Sequence, residues 1–151
     1  MWAALLLAGC RSPSPRSQVA RLYAALDAHD ANGVTQTLVS GARARELLDC
    51  PDYTPYDHEV ERAREHASRA DELQRSIKSF TGEDQATMWH ALRPGDPFGS
   101  CKVRKAFAVE KYRVVLERRD RFGASEPSYP VELWHVGDDW LVAEDDELDN
   151  F

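Results

Sequence analysis

From about residue 103 the sequence stops repeating every three or four residues and begins to alternate. Tyr112, Val114 and Leu116 are interleaved with Arg113, Val115 and Glu117, the period of a strand with two unlike faces. Segments 103–109, 112–118, 131–136 and 140–143 are rich in β-branched and aromatic residues. Gly137-Asp138-Asp139 joins the last two as tightly as a hairpin requires, and Gly123-Ala124-Ser125-Glu126-Pro127 reads as another hairpin loop. Strands that follow one another across short turns pair antiparallel, so the C-terminal third of the chain is expected to be an antiparallel sheet.

The residues before it have helical spacing. Val19, Leu22, Tyr23 and Leu26 form one apolar stripe in a helix that Ser14 or Ser17 can cap and that runs to about Ala28. His29-Asp30-Ala31-Asn32-Gly33 breaks it, and a second helix is expected from Gly33 to Leu48, with Val34, Leu38, Val39 and Leu48 inward. Two prolines make 50–57 a loop. Val60, Ala63, Ala67, Ala70, Leu73, Ile77 and Phe80 then recur every three or four residues, which predicts one long helix from Asp57 to Phe80, capped by Asp57 and ended by Gly82. A short helix is expected over 83–92, and Arg93-Pro94-Gly95-Asp96-Pro97-Phe98-Gly99 closes it as a loop. Helices first and a sheet last make the fold class α+β.

The first nine residues stand apart. An apolar run from Trp2 to Ala8 is too short to span a bilayer, which takes roughly 20 residues. Leu7-Ala8-Gly9-Cys10 resembles the lipid-attachment signal of bacterial lipoproteins, which ends in Leu, a small residue, Gly or Ala, and an obligatory Cys. The basic segment usual ahead of such a run is missing from residues 1–9. The resemblance implies removal of residues 1–9, acylation of Cys10 with diacylglycerol and palmitate, and attachment to the membrane of a bacterial cell envelope. Arg11 rather than Asp after the cysteine implies, by the same resemblance, the outer membrane, facing the periplasm. The competing reading is an N-terminal helix with an incidental cysteine. The polar, two-proline segment that follows suits a tether better, so residues 10–17 are expected to be a linker and residues 18–151 a single domain.

With Cys10 acylated, Cys50 and Cys101 remain. In an oxidising compartment two thiols read as one disulfide. The formal net charge of -7 disfavours phosphate backbones, so no nucleic-acid partner is expected.

A second resemblance covers the two ends of the domain. Leu22-Tyr23-Ala24-Ala25-Leu26-Asp27-Ala28-His29-Asp30-Ala31-Asn32-Gly33-Val34 is similar to the opening of NTF2-like (cystatin-like) domains, and Val131 to Val142, with Trp140 after Gly137-Asp138-Asp139, resembles their closing hairpin. The resemblance implies N-terminal helices packed on a curved antiparallel sheet. The long helix expected at 57–80 departs from that pattern.

Little of the sequence carries catalytic chemistry. His29, His58, His66, His90 and His135 include no HExxH pair and no Cys/His metal spacing, so neither a metal nor another cofactor is expected. No nucleophile-elbow or phosphate-cradling Gly motif occurs. The acidic stretch Glu144 to Asp149 lacks EF-hand spacing and reads as a solvated end. Trp134, His135 and Trp140 are the candidate ligand-binding residues. Three functions therefore compete. The first is a non-enzymatic lipoprotein whose domain binds an envelope protein or a small ligand. The second is a small-pocket NTF2-like enzyme using His135 or a nearby carboxylate. The third is a helical adaptor using the 57–80 helix.

Overall fold

The computed structural model describes residues 13–69, 75–82, 89–118 and 129–145. Residues 1–9, Cys10, the 123–127 loop and the acidic residues beyond Asp145 lie outside them. Among the described residues, four helices precede the main sheet: α1 (Pro15–Asp27), α2 (Ala31–Thr37), α3 (Gly41–Leu47) and α4 (Thr54–Arg69). The strands among the described residues are β1 (Leu48–Asp49), β2 (Arg75–Gly82), β3 (Trp89–Leu92), β4 (Pro97–Phe98), β5 (Cys101–Val103), β6 (Phe107–Arg118), β7 (Tyr129–Val136) and β8 (Asp139–Asp145). This is the expected α+β class.

Helix α1 starts inside the segment read as a tether. Ser14 accepts from the Ser17 backbone and Ser17 returns a bond to Ser14, a capping box, and Pro15 occupies the first turn, where its missing N–H costs nothing. All four residues of the predicted stripe are buried. The second predicted helix is two helices. Asp30 caps α2 and Ser40 caps α3. Between them the Val39 N–H donates to the Val142 carbonyl at 3.0 Å, and Leu38 forms a parallel bridge to Val142. The break exists because this segment covers the outer edge of β8.

The long helix predicted over 57–80 is corrected. Helix α4 begins at Thr54 and ends at Arg69, and residues 75–82 are strand β2, so an adaptor built on a continuous 57–80 helix has no counterpart in the fold. Asp57 does not cap this helix. At the entrance to α4 it is Asp52 that accepts from the Thr54 backbone and hydroxyl. Asp57, in the first turn, accepts instead from the Gly41 N–H at the start of α3 (3.0 Å). Of the helix expected over 83–92, Trp89–Leu92 is instead strand β3, and residues 83–88 lie outside the described residues.

The main sheet runs β2-β6-β7-β8, all antiparallel, with β3 pairing the other end of β6. Strand β6 is one continuous element where two were predicted. A two-residue turn links β7 to β8, with Gly137 at φ 61°, a conformation glycine adopts without a Cβ clash. Successive strand residues face opposite sides, and each side has its own core. On one side Val114, Leu116, Val131, Leu133 and Val142 pack against α1, α2 and α4. On the other Val109 and Trp134 pack against α3, β1 and β5 through Leu47, Leu48 and Val103. A small second sheet, β1-β5-β4, closes this side.

Candidate functional site

The disulfide ties this second side together. Cys50 and Cys101 are bonded, with Cα atoms 4.3 Å apart, and join the end of α3–β1 to β5. Around them the Tyr53 hydroxyl donates to the Leu48 carbonyl (2.8 Å) and accepts from the Cys50 N–H (3.0 Å). Arg45 lies over the Tyr53 ring at 5.0 Å. The Leu47 carbonyl accepts from the Arg104 N–H, and Arg104 pairs with Asp49.

Trp134 is part of this structural side. It is 1% exposed, and Phe98, Phe107 and Tyr56 surround its ring at centroid distances of 5.5, 4.9 and 5.7 Å. Its indole N–H donates to Glu132 (3.0 Å). Burial raises the Tyr56 hydroxyl above its ordinary pKa, and Glu132 and Tyr53 add to the rise. Such a ring, enclosed by side chains and satisfied at its one polar atom, is a core residue.

His135 and Trp140 face the other way. Adjacent residues on a strand take opposite faces, so His135 leaves Trp134 and joins the helix-facing side. It pairs in register with Trp140, and the two rings stack at 4.0 Å with only 3° between their planes. Both are half-buried, and Trp140 packs on the helix-side core. The sequence therefore proposed three ligand residues, and the fold brings two of them together.

Two further residues belong to this face. Ala108 lies opposite His135, so Glu110, two residues on, faces the same side. Tyr112 follows in the same row and donates its hydroxyl to the Glu110 carboxylate. The Tyr112 ring stacks on Phe80 at 4.5 Å. Burial, and next the bond to Glu110, pushes the Tyr112 hydroxyl far above the ordinary tyrosine range. Across neutral pH Tyr112 thus keeps its proton and is the donor of this bond. Glu110 escaped the sequence reading because β6 was divided at that point. The signal was present, since the alternation Tyr112-Val114-Leu116 continues backward to Glu110.

The helix-facing side thus carries a flat imidazole–indole stack, a carboxylate held by a phenol, and an aromatic pair. The stack and the carboxylate share one sheet face, with Glu110 two register positions from His135. Among the described residues, no group of three or more His, Cys, Asp and Glu side chains could hold a metal ion. No protein family, curated protein or solved structure matches the chain.

Proposed function

We propose that this chain is a bacterial envelope lipoprotein, acylated at Cys10 and held on the periplasmic side of the outer membrane. In this reading its NTF2-like (cystatin-like) domain binds a flat small ligand without transforming it. The observation that carries the binding role is the His135–Trp140 stack beside Glu110 and Tyr112 on one sheet face. Such a surface takes an aromatic or conjugated molecule, with a donor or a positive charge toward Glu110. The Cys50–Cys101 bond suits an oxidising envelope compartment. A helix followed by a strand at 54–82 also removes the departure from the NTF2-like pattern that the sequence suggested.

The enzymatic reading draws on one observation. His135 and Glu110 share a face on paired strands, two positions apart in register, as an acid–base pair requires. The Glu110 carboxylate is already engaged by Tyr112, which favours binding over proton transfer.

Two experiments test the proposal. Metabolic labelling with a palmitate analogue should mark the wild type and not Cys10→Ser, and equal labelling of both would refute acylation. A thermal-shift screen of aromatic and cationic small molecules should find ligands that stabilise the wild type but neither His135→Ala nor Trp140→Ala. Shifts that persist in both variants would put binding elsewhere.

A further inference from the structure

Charge is divided along this chain. Residues 1–26 contain Arg11, Arg16 and Arg21 and no Asp or Glu, so they carry +3 and leave residues 27–151 at -10 against the chain's -7. The first carboxylate is Asp27, at the far end of α1. On α1 the buried arc is Gln18, Val19, Leu22, Tyr23, Ala25 and Leu26. The opposite arc, Arg16, Ser17, Ala20, Arg21 and Ala24, is exposed, with the two arginines at its margins. The exposed face of α1 is therefore basic on an acidic protein.

Its distance from Cys10 is limited by covalent geometry. Helix α1 begins at Pro15 and Ser14 is its cap, so only Arg11, Ser12 and Pro13 separate Cys10 from the cap. Four residue steps span at most roughly 14 Å. A domain of this length has a radius of gyration of about 14 Å, so a tether this short cannot let it turn freely away from its anchor. The Arg16 guanidinium also reaches the Ile77 carbonyl (3.5 Å), which sets the start of α1 at the β2 edge of the sheet. The His135–Trp140 stack lies at the opposite, β7–β8 edge.

We infer that the exposed face of α1 docks on the anionic phospholipid headgroups of the membrane that holds Cys10. Docking orients the domain with α1 between the main sheet and the bilayer, since the buried arc of α1 packs on the helix-facing side of that sheet and its exposed arc points away from it. The inference rests on the acylation of Cys10 argued above. Each arginine near an anionic surface strengthens contact about fivefold, and salt weakens it over a Debye length of about 8–10 Å.

The test separates docking from acylation. With Cys50 and Cys101 bonded, Cys10 is the one free thiol of the three cysteines, so the full chain can be coupled there to a maleimide phospholipid in vesicles. Arginine modification by phenylglyoxal, read residue by residue by mass spectrometry, then maps the buried guanidiniums. On vesicles with about a third anionic lipid, Arg16 and Arg21 should react about fivefold more slowly than on zwitterionic vesicles. Arg64, exposed on α4, should change less than about twofold by the same reasoning, and 0.5 M salt should restore the reactivity of Arg16 and Arg21. Equal reactivity on both vesicle types would overturn docking. Protection that follows protein density rather than lipid charge would assign the face to a second copy of the chain and overturn it too. Absence of palmitate labelling in cells would remove the anchor itself, an outcome the coupled-chain measurement does not share.

Discussion

The His29 imidazole Nδ1 stands 2.6 Å from the Ala67 carbonyl oxygen, joining the turn after α1 to the last turn of α4 across 38 residues of sequence. A carbonyl only accepts, so Nδ1 carries the proton and donates. His29 itself sits at φ 56°, the left-handed region. Around it the Asp30 N–H bonds the Ala25 carbonyl and the His29 N–H bonds the Leu26 carbonyl, the paired closure of a Schellman helix end. Glycine is the usual residue here. Histidine accepts the strain of the conformation and offsets it by satisfying a carbonyl at the end of α4.

This balance predicts an order among substitutions. His29→Ala keeps the strained backbone and loses the bond, so it should cost about 1 kcal/mol. His29→Gly loses the same bond and relieves about 1 kcal/mol of strain, so it should be close to neutral. Urea denaturation of the two variants measures the difference. A glycine variant less stable than the alanine variant would show that the side chain does more than make this one bond.

Gly41 and Asp57 form a second coupled pair. A Cβ on Gly41 would lie 2.4 Å from Asp57 Oδ1 and 2.7 Å from its Cγ, so Asp57 must swing away and release the Gly41 N–H. Gly41→Ala should therefore cost about 1 kcal/mol, and Asp57→Ala about the same. The double variant should cost clearly less than the sum, because each change removes the same bond and the smaller side chain makes room for the new methyl. Additive losses in a double-mutant cycle would argue against the shared contact.

These relationships mark where sequence reading succeeded and where it stopped. The α1 stripe was legible because every inward residue fell on one helical face. Ile77 and Phe80 imitate a helix for a specific reason. They are three apart, a helical interval, and in a regular strand they would face opposite sides. The register of β2 shifts between Ile77 and Ser79, and the extra residue returns Phe80 to the same face as Ile77. A bulge therefore imitated the spacing of a helix. The break at Leu38–Ser40 was hidden because its cause, pairing with Val142, is distant in sequence. At the candidate site, strand alternation alone separates Trp134 from His135. The His135–Trp140 stack follows from the register across the Gly137-Asp138 turn.

The disulfide should contribute strongly to stability. Cys50 and Cys101 are 51 residues apart, and closing a loop of that size limits the unfolded chain by roughly 4 kcal/mol. The bond also stands beside the second core, where Cys50 packs against the cluster that contains Trp134. Reduction should lower the melting temperature by about 10 °C. Cys50→Ser/Cys101→Ser should do the same, and should leave the wild type's sensitivity to dithiothreitol absent. A melting temperature unaffected by reduction would mean that the local bonds of Tyr53 and Arg104 hold the segment unaided.

The Glu110–Tyr112 pair predicts behaviour at alkaline pH. The folded Tyr112 hydroxyl titrates far above its ordinary value of 10.0, first because it is buried and next because it donates to Glu110. A group whose folded pKa exceeds its unfolded one stabilises the fold fully below the unfolded value. The unfolded chain ionises at about pH 10, so this stabilisation falls progressively as pH rises above that point and is gone once the folded hydroxyl also ionises. Tyr56 shifts in the same direction through burial, then Glu132 and Tyr53. Of the chain's five tyrosines, then, at least two should ionise late in a titration followed by ultraviolet absorbance. Tyr112→Phe should remove one late step and leave Glu110 without its phenolic donor. It should also flatten the loss of stability above pH 10 relative to the wild type. A titration in which all five tyrosines ionise together near pH 10 would show that the Glu110–Tyr112 bond does not persist in solution.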